Sequence, residues 1–110
     1  MASVTVNGLD IATDPDGFLK DLNDWSPAVA EQLAASCDIQ LSDGHWQLIH
    51  LVQRYYQQFG LSPAMRPLVK YAKLELGDKG NSLYFLKYFP DSPAKSLSKI
   101  AGLPRPDNCL

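Results

Sequence analysis

The longest helical pattern in this 110-residue chain runs from Ser42 to about Gln58 and leaves little of its circumference polar. Serine at its start and Gly60 after its end are typical of an N-cap and a left-handed C-cap. Apolar residues at helical spacing form one stripe, which further residues widen: Trp46, Ile49, Val52, Tyr56 and Phe59, with Leu48, Leu51 and Tyr55. A helix with so wide an apolar face is contacted from more than one side, so this segment predicts the central helix of a bundle.

Shorter helices are predicted around the central one, because serine, asparagine and proline mark several helix starts. These starts are Ser26-Pro27, Ser62-Pro63, Gly80-Asn81-Ser82 and Ser92-Pro93. Nearer the N-terminus, alternating apolar and polar residues around Asn7-Gly8 predict a β-hairpin. A short helix is expected through Phe18, Leu19 and Leu22. The expected fold is mainly α, a compact bundle of about six helices with an N-terminal β-hairpin, in one domain over residues 1–110.

The end of the chain is predicted to be a helix, a stop and an extended segment. Gly102 can take the left-handed conformation that closes a helix in a Schellman motif. Pro104 and Pro106 prevent further helix and favour a polyproline-like path. We therefore expect residues 103–110 to form a flexible C-terminal arm that carries Cys109 roughly 20 Å from the helix end.

Cys109, one residue from the chain end, is the candidate catalytic residue. A thiol near a terminus is exposed by default, and its thiolate is a nucleophile. Positive charge lowers the pKa of a thiol, so Lys95, Lys99 and Arg105 are the candidates for thiolate and docking support, while the Leu110 carboxylate opposes them. The functional interpretation is a carrier of sulfur on an arm. The alternative is an inert terminus.

The second cysteine, Cys37, follows Val29 and Leu33 at four-residue intervals, so we expect it to share the buried stripe of its helix. A disulfide between Cys37 and Cys109 is conceivable, but it would not be structural in a reducing compartment.

No cofactor and no metal site is predicted. His45 and His50 are five residues apart, which does not place them on one helix face, and capping or surface roles explain them better. The chain has no glycine-rich phosphate loop and no G-x-S-x-G motif. It also has no apolar run long enough for a membrane span and no signal-peptide pattern, so we expect a cytoplasmic protein.

Charge is unevenly distributed along the chain, although the net charge is only −2. Residues 1–65 carry two bases and eight acids, a net −6, whereas residues 66–110 carry eight bases and four acids, a net +4. The basic half can steer the protein toward an acidic protein surface or nucleic acid, or the two halves can pair internally. Arg66, Lys70 and Lys73 are the best candidates for a basic contact face, and a solvated face is the alternative.

The sequence resembles the DsrC/TusE family of small sulfur-relay proteins, and most closely its TusE branch. The similarity covers essentially the whole chain in the family's order. The residues that carry it are Gly17-Phe18-Leu19, Trp25-Ser26, Leu41-Ser42-Asp43-Gly44-His45-Trp46, Ser62-Pro63-Ala64-Met65-Arg66, Lys79-Gly80-Asn81-Ser82, Phe89-Pro90, Pro93-Ala94-Lys95, Ile100-Ala101-Gly102-Leu103-Pro104-Arg105-Pro106 and Cys109-Leu110.

The resemblance implies a function in sulfur transfer. In that family the penultimate cysteine carries a persulfide, and this position is Cys109 here. The implied pathway is 2-thiolation of the tRNA wobble uridine, with a TusBCD-type complex as sulfur donor and an MnmA-type tRNA thiouridylase, possibly with bound tRNA, as acceptor. No membrane partner is expected.

Two other functions remain open from the sequence. One is a DsrC-like partner of dissimilatory sulfite reductase. Such members carry a second cysteine at the position of Ser98, and a hydroxyl cannot resolve a persulfide into a disulfide. The other is a helix-turn-helix-like nucleic-acid-binding module that uses residues 62–88. Sulfite-reductase capture would favour the first, and sequence-specific DNA retention without Cys109 would favour the second.

Overall fold

The computed structural model describes residues 2–106 and confirms a mainly α fold with an N-terminal β-hairpin. Single turns of 3-10 helix lie at Leu22–Asp24 and Gly77–Lys79. The strands and α-helices of the described chain are β1 (Ser3–Val6), β2 (Leu9–Ala12), α1 (Pro27–Ser36), α2 (Asp43–Phe59), α3 (Met65–Leu76), α4 (Ser82–Tyr88) and α5 (Pro93–Ile100).

The hairpin turns at the predicted dipeptide. Strands β1 and β2 pair antiparallel, with Ser3 opposite Ala12. Asn7 and Gly8 both have positive φ, 51° and 82°, which a tight two-residue turn between twisted strands requires. Strand β1 packs against α1, so the hairpin gains the helical support that an isolated hairpin lacks.

Helix α2 is the centre of the bundle, as its apolar pattern predicts. Leu48, Ile49, Leu51 and Val52 are all fully buried, although they point in different directions around the helix. Their burial is explained by α3, α4 and α5, which all contact α2. Gly60 ends the helix in the left-handed conformation, with φ 74°.

Three details of the sequence prediction are wrong. Helix α3 begins at Met65 rather than at Ser62, which bonds another segment. The expected short helix through Phe18 is replaced by a loop, and Thr13 forms an isolated β-bridge with Leu19 beyond it. Ser92 precedes α5 as expected, but its side chain makes no capping hydrogen bond.

Residues 103–106, the first part of the expected arm, lie against the helical body. Leu103 and Pro106 are buried. The rest of the arm, including Cys109, lies outside the described residues. In the described range of 2–106, no helix is both long and apolar enough to cross a bilayer.

Candidate functional site

The C-terminal end of α5 closes in the predicted Schellman motif. The Leu103 N–H donates to the Ser98 carbonyl at 2.9 Å, and the Gly102 N–H donates to the Lys99 carbonyl at 3.1 Å. Gly102 has φ 78° and packs on the Trp25 indole so closely that an added Cβ would lie 2.3 Å from its ring. Only glycine meets both demands here, so the position at which the chain leaves the helix is fixed.

Two side chains from other elements bond the last carbonyls of α5. Trp25 Nε1 donates to the Ile100 carbonyl at 2.9 Å, and Gln53 Nε2 donates to the Ala101 carbonyl at 3.0 Å. Carbonyls at a helix end lack partners within the helix, so these bonds satisfy groups that would otherwise need water. They also connect the start of the arm to α2 and to the segment before α1.

Ser62 forms a hydrogen bond with the arm at Pro104. Its hydroxyl donates to the Pro104 carbonyl at 2.5 Å, and the residue is only 5% exposed. This contact explains why Ser62 is not the cap of α3. The pattern serine-proline predicts a helix start from local chemistry alone, and here a residue 42 positions away competes for the hydroxyl.

Arg105 is bound by an acidic loop near the N-terminus. Its guanidinium forms an ion pair with Asp16 and a longer one with Asp14, at 3.5 Å. Its charge also lies over the Phe18 ring, 5.1 Å from the centroid. The hydrogen bond and charge of Arg105, helped by the charges of Lys95 and Lys99, hold the pKa of the Asp16 carboxyl below its usual range.

The acidic loop is shaped by its own first residue. The Asp14 carboxylate accepts hydrogen bonds from the backbone N–H of Asp16 at 2.9 Å and of Phe18 at 3.0 Å. An aspartate that bonds the backbone in this way competes with helix formation. This is the physical reason that Phe18 lies in a loop, where its ring is buried beneath two cations.

The three basic residues predicted to support the thiol therefore gather on one side of the molecule. Lys99 Nζ lies 5.8 Å from the Phe18 ring centroid and 4.0 Å from Cys37 Sγ. Lys95, one turn earlier on α5, is close enough to Asp16 to affect its pKa. Within residues 2–106, carboxylates form ion pairs only with Arg54 and Arg105 among the cations, so the charges of both lysines act on Asp16 without direct contact.

Cys37 is not packed in the core as expected. It forms the C-cap of α1 and is only partly buried, whereas Val29 and Leu33 of the same stripe are buried. Its side chain lines a surface cavity of about 310 Å³ together with Lys99 and residues of the acidic loop. The four-residue periodicity fails at Cys37 because the helix ends there.

Ser98, at the position of the second family cysteine, is fully buried on α5. Its hydroxyl has no hydrogen-bond partner within the described chain. A hydroxyl can neither carry a persulfide sulfur nor form a disulfide. Cys37 is the only thiol in the described part of the chain.

His45 has the capping role that the sequence favours. Its Nδ1 accepts a hydrogen bond from the Ser42 N–H at 3.0 Å, which requires the neutral tautomer with the proton on Nε2. In that tautomer the Nε2–H donates to the Tyr88 carbonyl, 3.0 Å away. Partial burial lowers the pKa of His45, which favours the neutral ring that makes both bonds. Among residues 2–106, no three His, Cys, Asp or Glu side chains are grouped as metal ligands would be.

Sequence reasoning from the residues missed the partners of the arm and of the helix end before it, namely Asp14, Asp16, Trp25, Gln53 and Ser62. Their contacts join positions up to 89 residues apart, which no local pattern reveals. A signal existed in part, because Gly17-Phe18-Leu19 and Trp25-Ser26 belong to the segments that carry the family resemblance.

Comparison with known proteins gives the same family from end to end. Residues 5–110 match the family model described as DsrC like protein. The chain is 50% identical to sulfurtransferase TusE of Sodalis glossinidius over 105 residues, which cover 94% of this chain and 97% of that protein. It is 44% identical to the sulfurtransferase TusE homolog of Haemophilus influenzae, with 97% and 99% covered.

Solved structures agree with the sequence relatives. The NMR structure of Allochromatium vinosum DsrC superposes with a TM-score of 0.87 at 39% identity, covering 98% of this chain and 97% of that one. The crystal structure of the oxidized γ-subunit of dissimilatory sulfite reductase, DsrC, from Archaeoglobus fulgidus gives a TM-score of 0.84 at 38% identity, with 99% and 100% covered.

Proposed function

This chain belongs to the DsrC-like protein family, and we propose that it is a sulfurtransferase that carries sulfur as a persulfide on Cys109. Its relatives at 42–50% identity are sulfurtransferases TusE, which supports a place in a sulfur relay. The structural observation that carries the proposal is the fastening of residues 100–105 by side chains from four other parts of the chain. A relay thiol must be presented to partners from a defined point, and this arrangement defines that point.

The chemistry needs one nucleophilic thiolate and no oxidant. The Cys109 thiolate attacks the outer sulfur of a donor persulfide, so a new S–S bond forms on Cys109 while the donor S–S bond breaks and its cysteine leaves as a thiolate. The acceptor thiolate then attacks the outer sulfur of Cys109–S–SH in the same way and regenerates the Cys109 thiolate. Each transfer exchanges one S–S bond for another, so the steps are balanced.

The arm has the reach that such exchange requires. Cys109 is three positions after Pro106, and an extended chain of three steps spans about 10 Å. Because Pro104 and Arg105 are held on the body, this short span is what can enter a partner's cleft. In this proposal the positive charges of Lys95 and Lys99 favour an anionic sulfur on Cys109. Arg105 acts chiefly by holding the arm to Asp14 and Asp16.

The pathway we propose is 2-thiolation of the tRNA wobble uridine. The donor is a TusBCD-type complex and the acceptor is an MnmA-type thiouridylase, with or without bound tRNA. A cytoplasmic location fits this role, because a reducing compartment keeps the Cys109 thiol free of disulfides.

The similarity to DsrC keeps a sulfite-reductase partner as the second candidate. DsrC of Archaeoglobus fulgidus is a subunit of dissimilatory sulfite reductase. The buried serine at position 98 opposes that role for this chain, because it supplies no second thiol to resolve a persulfide. Capture of dissimilatory sulfite reductase in preference to a TusBCD-type complex would favour this candidate.

The persulfide assignment is tested by isotope labelling. The full chain is incubated with a cysteine desulfurase, a TusBCD-type donor and ³⁵S-cysteine, and the labelled residue is mapped by mass spectrometry. We expect Cys109→Ser to abolish labelling, because no other residue is placed on the arm to accept sulfur. Cys37→Ser is the matched control and should retain the label. Label retained in Cys109→Ser would refute the assignment.

A further inference from the structure

The N-terminal end of α5 borders a groove that takes no part in the bonds that fasten the arm. The groove lies between α3, α4 and α5, has a volume of about 250 Å³, and is lined mainly by apolar atoms. Its apolar lining residues are Met65, Leu86, Pro93 and Ala94, and Lys95 also lines it. We refer to it as the α5 groove.

Exposed leucines extend this apolar surface along α4. Leu83 is 74% exposed and Leu86 is 41% exposed, and their three-residue spacing places them on one face of the helix. Lys87, four residues after Leu83, shares that face and is also exposed. Large apolar side chains in one exposed patch are typical of a contact surface for another protein.

Lys95 lines the groove, and two further exposed bases, Arg66 and Lys87, directly follow the lining residues Met65 and Leu86. Residues 62–106 contain eight bases but only three acids, which are Glu75, Asp78 and Asp91. Glu75 is paired with Arg54, and Asp91 precedes the groove residue Ser92. Across the described part of the chain, no carboxylate pairs with Arg66, Lys87 or Lys95. An occupant of opposite charge would therefore gain attraction on approach.

We propose that the α5 groove is the docking site for a segment of the sulfur-donor protein that presents apolar side chains flanked by Asp or Glu. This inference rests on the proposed function and names the surface by which the donor is recognised. The apolar groove and the exposed leucines favour protein over RNA, because a phosphate backbone gains nothing from apolar contact. The positive rim favours an acidic segment over a neutral one.

The groove is close to the point at which the arm leaves α5. It lies at the first turn of α5, and the arm leaves the helix at Gly102, about 12 Å further along at the rise of an α-helix. A donor bound at the groove would be held beside the helix from which the arm departs. Binding at the groove as well as at the thiol raises the effective concentration of the two sulfurs, so sulfur transfer is faster than with contact through the short arm alone.

The test compares two leucine-to-glutamate variants of the full chain. Leu83→Glu places a negative charge on the proposed surface, and Leu9→Glu places the same charge on the hairpin, where Leu9 is 68% exposed. We expect Leu83→Glu to raise the KM for sulfur transfer from a TusBCD-type donor about tenfold, which corresponds to about 1.4 kcal/mol. Leu9→Glu should change it less than twofold. Equal effects of the two variants would overturn the proposal.

A charge reversal checks the acidic character of the occupant. Lys87→Glu should weaken donor transfer severalfold at low ionic strength and less at high ionic strength, since exposed charges are screened by salt. A salt-independent effect would contradict an acidic partner. Weakened binding of a tRNA transcript with unchanged donor transfer would assign the surface to RNA instead. A dimer of the free chain that Leu83→Glu dissociates would assign it to a second copy.

Loading by a small molecule separates this inference from the proposed function. Cysteine persulfide needs no docking surface, so it should load Cys109 equally in the natural chain, Leu83→Glu and Leu9→Glu. Failure to load Cys109 in the natural chain, from either source, would overturn the proposed function. Normal loading in all three, with normal donor transfer in Leu83→Glu, would overturn the groove alone.

Discussion

The two ends of helix α5 differ in the contacts that the rest of the chain makes with them. At the C-terminal end, Trp25 and Gln53 bond the last carbonyls, and Gly102 directs the chain onward. At the N-terminal end, Ser92 has a left-handed backbone, with φ 50° and ψ 68°, and no capping bond from its own side chain. Beside it lies an open apolar groove. One end is organised to hold this chain's own arm, and the other is left accessible.

This difference separates two requirements of a relay protein. The arm must leave the body from a fixed position, which calls for internal contacts. The partner must also recognise the helical body, which requires exposed apolar or charged surface. A single eight-residue helix connects the two ends, so the distance between the proposed docking groove and the start of the arm is set by rigid secondary structure.

The largest effect on the fastened end is expected from Gly102→Ala. A positive φ costs a residue with a Cβ about 1 kcal/mol, and the overlap with Trp25 adds about 2 kcal/mol of overpacking. We expect the free energy of unfolding in urea to fall by about 3 kcal/mol in total. Sulfur transfer from Cys109 should fall with it, because the arm would leave the helix elsewhere.

Gly60→Ala is the matched control for that substitution. Gly60 also has a positive φ, 74°, but nothing lies within 4 Å of the Cβ position. Gly60→Ala should therefore lower the free energy of unfolding only by the cost of the positive φ, about 1 kcal/mol. Equal losses in the two variants would show that the Trp25 contact adds nothing.

Intermediate changes in stability, of opposite sign, are expected when either of two buried serines near the C-terminal end of α5 is replaced. Ser98→Ala should stabilise the protein by about 1 kcal/mol, because it removes a buried hydroxyl without a partner among the described residues. Ser62→Ala should destabilise it by about 1 kcal/mol, because it leaves the Pro104 carbonyl without its donor. Thermal unfolding of both variants measures the signs, and a loss of stability in Ser98→Ala would contradict this view of the site.

The smallest effect on global stability is expected from the exposed ion pair of Asp16 with Arg105. Because the folded-state pKa of Asp16 is lowered, its contribution is fully present above the unfolded value of 3.8 and is lost as the pH falls through the folded value. NMR titration should show the Arg105 side-chain resonances shifting in that acid range and not in Asp16→Asn. Glu75→Gln, which removes the separate pair with Arg54, should leave that titration unchanged.

Much of the fold is encoded in local patterns that can be recognised in the sequence. The apolar face of α2, the Asn7-Gly8 turn and the Gly102 stop all depend on residues within one or two turns of each other. Two wrong predictions occurred where a side chain bonds something other than the expected helix, once far away in the chain and once within its own loop. Ser62 bonds Pro104, and Asp14 bonds its own loop and Arg105.

The site was predictable to a lesser extent for the same reason. The three basic residues near the arm could be listed from their sequence proximity to Cys109, but the acids that bind Arg105 could not. Asp14 and Asp16 look like ordinary turn residues until the fold brings them beside the arm. The role of Cys109 remains a prediction that the labelling experiment addresses.

The contact between Gly102 and Trp25 ties together two positions that are far apart in the chain. The indole fills the space that any larger residue at 102 would need, and it also donates to the Ile100 carbonyl. Exchange of either residue alone therefore creates a clash or a gap with a lost bond. Descendants of this chain can explore new residues at one position only when the other changes with it, so the pair should be inherited as a unit.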